Sequence, residues 1–147
     1  MESERGYHMV LPNPGFETSR PISMGERKFM CTTMESGLRL AGTVEFAGLK
    51  SAPNWGRAEK LLTHAKDIFK DVDTTEALPW MGNRPATPDS LPVISRSRRH
   101  PNVVYGFGHG HLGLTGGAAT GKHVTALIAG QSPEIDLTPF SIGRFAR

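Results

Sequence analysis

The chain alternates short apolar runs with glycine- and proline-rich breaks, and the spacing of its apolar positions changes along its length. Over residues 4–10, Tyr7 and Met9 fall on one side and His8 and Val10 on the other, which predicts a short strand. Pro12, Pro14 and Gly15 then force a turn or an irregular excursion before Ile22–Met24, a short extended piece. Phe29–Met34 and residues 38–46 flank Glu35-Ser36-Gly37 and predict a hairpin with the glycine in its turn. In the second arm Leu38, Leu40, Gly42, Val44 and Phe46 share one face against Arg39, Ala41, Thr43 and Glu45, the pattern of a half-buried antiparallel strand. The period then lengthens. Trp55, Ala58, Leu61, Leu62, Ala65, Ile68 and Phe69 recur at helical spacing, with Arg57, Glu59, Lys60, Lys66 and Asp67 largely opposite. This amphipathic helix is entered through residues 51–54, with Pro53 or Asn54 in the capping region and Trp55 as a core anchor.

Residues 74–84 read as extended, and Pro85, Pro88 and Pro92 exclude a helix there. Residues 92–95 and 102–105 predict two more short strands. The β-formers Val103, Val104 and Tyr105 lead into a turn punctuated by Gly106, Gly108, Gly110 and Gly113. From Ala118 onward Ala119, Val124, Leu127 and Ile128 fit one helical face, and Gly130 stops it. The expected fold class is α+β: a mainly antiparallel sheet with one amphipathic helix, followed by a C-terminal strand, Gly-rich turn and helix.

With 147 residues the chain is one domain's worth, long enough for a core, and a mean hydropathy of −0.32 is that of an ordinary folded soluble domain. No apolar run approaches the length of a membrane span, and the charged N-terminus lacks the apolar centre of a signal peptide. The net charge of +3 is dispersed except at Arg96-Ser97-Arg98-Arg99-His100, which reads as a solvated loop; no nucleic-acid-binding module surrounds it. The single cysteine, Cys31, excludes an internal disulfide, suits a reducing compartment and reads as a packed strand thiol.

Three motifs in the glycine-rich stretch need weighing. Gly108-His109-Gly110-His111-Leu112-Gly113 spells the dinucleotide fingerprint, but that reading needs a further parallel strand ending in an acidic residue. Glu134 and Asp136 sit near that distance, with little room around them for such a unit. Residues 116–122 match the first part of a phosphate loop, yet His123 stands where a magnesium-binding hydroxyl is required. His109 and His111 offer two metal ligands and no evident third, so no metal is expected.

The run GFGHGHLGLTGGAATGKHVTALIAGQ, with WMGNRPATPDSLPVIS upstream, resembles the C-terminal end of FAD-dependent amino-acid oxidoreductases, the superfamily of D-amino-acid dehydrogenase, glycine oxidase and sarcosine oxidase. The resemblance runs from Glu4-Arg5-Gly6-Tyr7-His8 through Gly130 and is nearest to D-amino-acid dehydrogenases. It implies FAD in the complete protein, an amino-acid substrate, and hydride transfer from the substrate α-carbon to the flavin. It implies that Gly110, Gly113, Leu114 and Thr115 contact the flavin ring at the helix mouth, where fixed dipoles meet developing negative charge. Arg84, in Gly82-Asn83-Arg84-Pro85, would grip the substrate carboxylate through a planar fork, with Asp89 fixing the loop beyond it. His111 stands where glycine oxidase-like members carry an arginine facing the substrate. Tyr7 and His8 are weaker candidates. No catalytic acid or base is implied, because the cofactor carries the difficult step.

The resemblance also implies an organisation. Residues 1–95 would form part of a substrate-binding domain and residues 96–147 the last strand and helix of the FAD domain, with the N-terminal Rossmann unit absent. The chain is then expected to be inactive alone, to hold FAD weakly, and to pair its open strand edges with the missing half or a second copy. The location expected is cytoplasmic, with peripheral contact at the inner membrane face where electrons pass to a quinone. Two other readings stay open: a non-catalytic interaction module derived from this fold, using its open sheet edge, and a nucleotide-binding protein using residues 116–122.

Overall fold

The computed structural model describes residues 1–146 and divides into two compact units, Arg5–Asn83 and Met1–Glu4 together with the chain from Arg84 onward. The elements in order are β1 (Glu2–Leu11), β2 (Ile22–Met24), β3 (Phe29–Met34), β4 (Gly37–Phe46), α1 (Gly56–Ile68), β5 (Leu78–Ala86), β6 (Val93–Arg96), β7 (Val104–Phe107) and α2 (Gly113–Ile128). Five strands form a sheet in the order β2-β3-β4-β1-β5, and β6 pairs with β7 separately. The β2–β3, β3–β4 and β6–β7 pairs are antiparallel. The α+β class read from the sequence is the class observed.

The core of the Arg5–Asn83 unit follows the two periods. Tyr7, Met9 and Leu11 of β1, Phe29 and Cys31 of β3, and Leu38 and Leu40 of β4 alternate inward and meet Ala58, Leu61 and Ala65 of α1. Cys31 is fully buried, and that burial pushes its thiol above the ordinary range, as suits a packed strand thiol.

Beside this core lies a polar cluster with no periodic signature. Arg5 is 1% exposed, yet it donates to the carbonyls of Gly48 at 2.9 Å, Ser51 at 2.7 Å and Ala52 at 3.2 Å. Its guanidinium also lies 3.5 Å from Glu45. Tyr7 Oη donates to Glu45 Oε2 at 2.5 Å and accepts from the Asn54 amide at 2.9 Å. The loop from β4 to α1 is thus pinned by groups that satisfy one another, which is what makes burying them tolerable.

Five expectations are corrected. Met34 pairs with Gly37, so the hairpin turn is Glu35-Ser36 and Gly37 opens β4. Gly37 has φ +114°, and a Cβ there would strike the backbone of Leu11 and Pro12, so both the backbone angle and the close approach require glycine. On β4, Leu38 and Leu40 are buried in the core with α1, but Val44 and Phe46, beyond the register shared with β3, are exposed, the latter by 66%. Helix α1 begins at Gly56 with Trp55 at the capping position and no side-chain cap; the Asn54 amide is held by Tyr7 instead. Trp55 is itself half-exposed, edge-on to Tyr7 with ring centres 6.0 Å apart, and is not a core anchor. Finally, α2 starts at Gly113, five residues early, and buries only His123; Ala119 and Ile128 of the expected face are exposed. Its stop at Gly130, with φ +68°, is as expected.

Candidate active site

Arg84 is carried near the end of β5, and two residues further on Ala86 bridges His109 in antiparallel sense. This bridge brings the proline-rich loop beside the turn after β7. Gly108 has φ +81°, and a Cβ there would strike the Thr87 methyl, so the turn closes on Thr87 only with glycine at that position. Thr87 Oγ1 donates to the Leu91 carbonyl at 2.7 Å, and Asp89 accepts from the Leu91 amide at 3.1 Å. Arg144 closes the loop from outside, donating to both Asp89 oxygens at 2.7 and 3.1 Å and to the Leu91 carbonyl at 2.6 Å. The Arg144 hydrogen bond is the main reason that the Asp89 carboxyl is held well below the usual carboxylate range. Asp89 therefore does fix this loop.

Past the bridge the two histidines part company. His109 Nε2 lies 2.8 Å from Thr120 Oγ1, tying the turn to α2. His111 is 66% exposed, and its Nδ1 lies 3.9 Å from Glu4 Oε1. The same Glu4 oxygen lies 3.3 Å from Arg84 Nη1. Glu4 Oε2 lies 3.4 Å from where a Cβ on Gly110 would stand. Arg84, His111 and Gly110 are thus gathered around one carboxylate that is only 13% exposed. Glu4 was missed by sequence reasoning. Its partner Arg84 lies 80 residues away, and an acidic residue near the start of a strand carries no local signal.

The other predicted residues lie at the start of α2. No side chain caps this helix, and its first turn holds no acidic residue. Leu114 stands 99% exposed, and nothing lies within 4 Å of where a Cβ on Gly117 would be. A helix N-terminus carries backbone donors and the positive end of the dipole. Gly113, Leu114 and Thr115 surround that mouth, whose unpaired backbone donors suit an anionic or electron-rich group. At its far end α2 is held by Arg96, which donates to the Leu127 and Pro101 carbonyls. The basic stretch is therefore only partly a solvated loop: Arg96 has work inside the fold, while Arg99 and His100 are exposed.

The remaining motifs are engaged elsewhere. Lys122 Nζ lies 2.6 Å from Glu134 Oε1, and both side chains are exposed. Tyr7 belongs to the buried cluster described above, and the His8 ring stacks on Trp80 at 4.6 Å. Among the described residues no group of three His, Cys, Asp or Glu is placed to hold a metal. No helix among them is long and apolar enough to cross a membrane.

The antiparallel pairs, the Gly-rich turn and the helix that follows it make up a fold shared with solved amino-acid oxidoreductases. Glycine oxidase from Geobacillus kaustophilus superposes with a TM-score of 0.79 at 20% identity, over 99% of this chain and 40% of that one. L-Proline dehydrogenase from P. horikoshii superposes with a TM-score of 0.72 at 16% identity, over 98% of this chain and 40% of that one. Residues 1–127 match the family described as FAD dependent oxidoreductase (DAO), and the chain belongs to that family. It is 45% identical to a D-amino-acid oxidase from Bradyrhizobium diazoefficiens over 99% of its own length and 35% of the relative's. It is 34% identical to a D-amino acid dehydrogenase from Methylobacterium radiotolerans, over 97% of its own length and 34% of the relative's. The chain spans about a third of the length of these curated relatives.

Proposed function

We propose that this chain forms the substrate-facing and flavin-ring-facing part of an enzyme that oxidises the Cα–N bond of a D-amino acid. The observation that carries this reading is the convergence of Arg84, His111 and Gly110 on one carboxylate beside an uncapped helix start. The names of the relatives, D-amino-acid oxidase and D-amino acid dehydrogenase, support the substrate class. Arg84 binds the substrate carboxylate, a match of planar fork to planar anion. His111 borders the same space and offers a ring nitrogen to the ligand. Gly110, Gly113, Leu114 and Thr115 bring backbone to the cofactor and orient it. FAD, when bound, supplies the two-electron acceptor for the hydride that leaves the α-carbon. Taken alone, this stretch neither retains FAD tightly nor turns over substrate, and its edge strands pair with the remainder of an enzyme or with a second copy.

The test is complementation. The purified chain is expected to show no D-alanine-dependent dye reduction. Mixed with the part of the Bradyrhizobium relative that it does not cover, it is expected to gain flavin absorbance and activity. Arg84→Met should then lower kcat/KM by at least about a hundredfold, the loss expected for two charge-assisted hydrogen bonds. An Arg84→Met complex as active as the unsubstituted one overturns the assignment.

A further inference from the structure

Glu4 is the member of this cluster that a simple carboxylate site does not need. A guanidinium that takes an anionic ligand already touches an anion, with Glu4 Oε1 3.3 Å from Arg84 Nη1. The Glu4 side chain is 13% exposed, so water screens it little. A fixed negative charge of that kind repels an incoming carboxylate unless the ligand brings a positive charge of its own. An α-amino acid does bring one, because its ammonium is attached to the carbon that bears the carboxylate.

We propose that Glu4 receives the ammonium group of an amino-acid ligand whose carboxylate lies on Arg84, so that the pair selects zwitterions over hydroxy acids and plain carboxylates. The proposal rests on the reading of Arg84 as the carboxylate site. Glu4 engages Nη1 only, so the opposite edge of the guanidinium, Nε and Nη2, keeps the two-donor fork that a carboxylate needs. Arg84 and His111 are both more exposed than Glu4, which leaves the cluster approachable from the side they share. Anionic and cationic ends of one small ligand then meet groups of opposite sign within a few ångströms, whereas a ligand lacking the amine puts a second anion on a guanidinium that already balances Glu4.

The test is a chemical-shift titration of the purified chain with D-alanine, D-lactate and propionate, followed on the His111 ring and the Arg84 Nε–H signal. D-Alanine is expected to bind at least about tenfold more tightly than either analogue, the worth of one charge-assisted hydrogen bond. Glu4→Gln is expected to abolish the preference by weakening D-alanine and tightening D-lactate, while Glu4→Asp, which keeps the charge, retains its sign. An unsubstituted chain that takes up all three alike, or none, overturns the proposal. So does a Glu4→Gln chain that loses D-alanine and D-lactate equally, the behaviour of a residue that only holds Arg84 in place. Arg84→Met with D-lactate binding unchanged is a separate outcome: it removes the carboxylate site itself, and the role of Glu4 with it.

Discussion

The two helices reverse the usual relation between composition and burial. Helix α1 is rich in charge yet buries Ala58, Leu61 and Ala65, whereas α2, with Lys122 its one charged residue besides His123, buries only that histidine. In α1 the apolar residues are gathered into one stripe that the sheet covers. In α2 glycine, alanine and threonine are spread around the axis, and the larger side chains of Leu114 and Ile128 point to solvent. A helix apolar on most sides is ordinarily an interior one. Its exposure here leaves that surface outside this chain's own core.

Core substitution gives the widest separation between the two helices. Leu61→Ala is expected to cost about 2–5 kcal/mol of unfolding free energy by denaturant titration, while Leu114→Ala stays within about 0.5 kcal/mol. Comparable losses at the two sites would erase the contrast. A smaller effect of opposite sign sharpens it. Gly117→Ala meets open space and a better helix former, so thermal unfolding should show a gain of about 0.5–1 kcal/mol. The smallest effect concerns the loop that carries Asp89. Because the folded carboxyl is depressed below its ordinary 3.8, the Arg144 contact stabilises the fold above that value. That stability is lost only as pH falls through the depressed folded value. The carboxyl carbon shift of Asp89 should therefore stay that of an ionised group through pH 3.8, and a midpoint at or above that pH would refute the clasp.

Most of the strands and α1 were legible because their burial follows a period of two or of 3.6, as in Tyr7-Met9-Leu11 and Ala58-Leu61-Ala65. The start of α2 was not. Each interior glycine costs a helix only about 1 kcal/mol, and the 3-10 turn at Gly110–Leu112 feeds directly into it, supplying the nucleus that the glycines disfavour. Nor was the Arg5–Glu45–Tyr7 cluster visible, since its partners lie 38 to 47 residues apart and polar residues in a strand ordinarily read as its wet face. Arg84 and His111 of the candidate site were singled out through the resemblance, and both lie near Glu4. Glu4, which holds them together, depends on a long-range bridge between β5 and the turn at His109 that no local pattern announces.

The anchoring of α2 is lopsided, and that has a mechanical consequence. Arg96 clasps the last turn, His123 is buried, and Thr120 is tied to His109, so the rear half behaves as the built-in end of a cantilever. The less supported end is the first turn, which has only the His109 side chain beside Gly113 and Gly116. Thermal bending of such a beam is greatest where it is unsupported, so deuterium should enter the amides near Thr115 before those near Leu127.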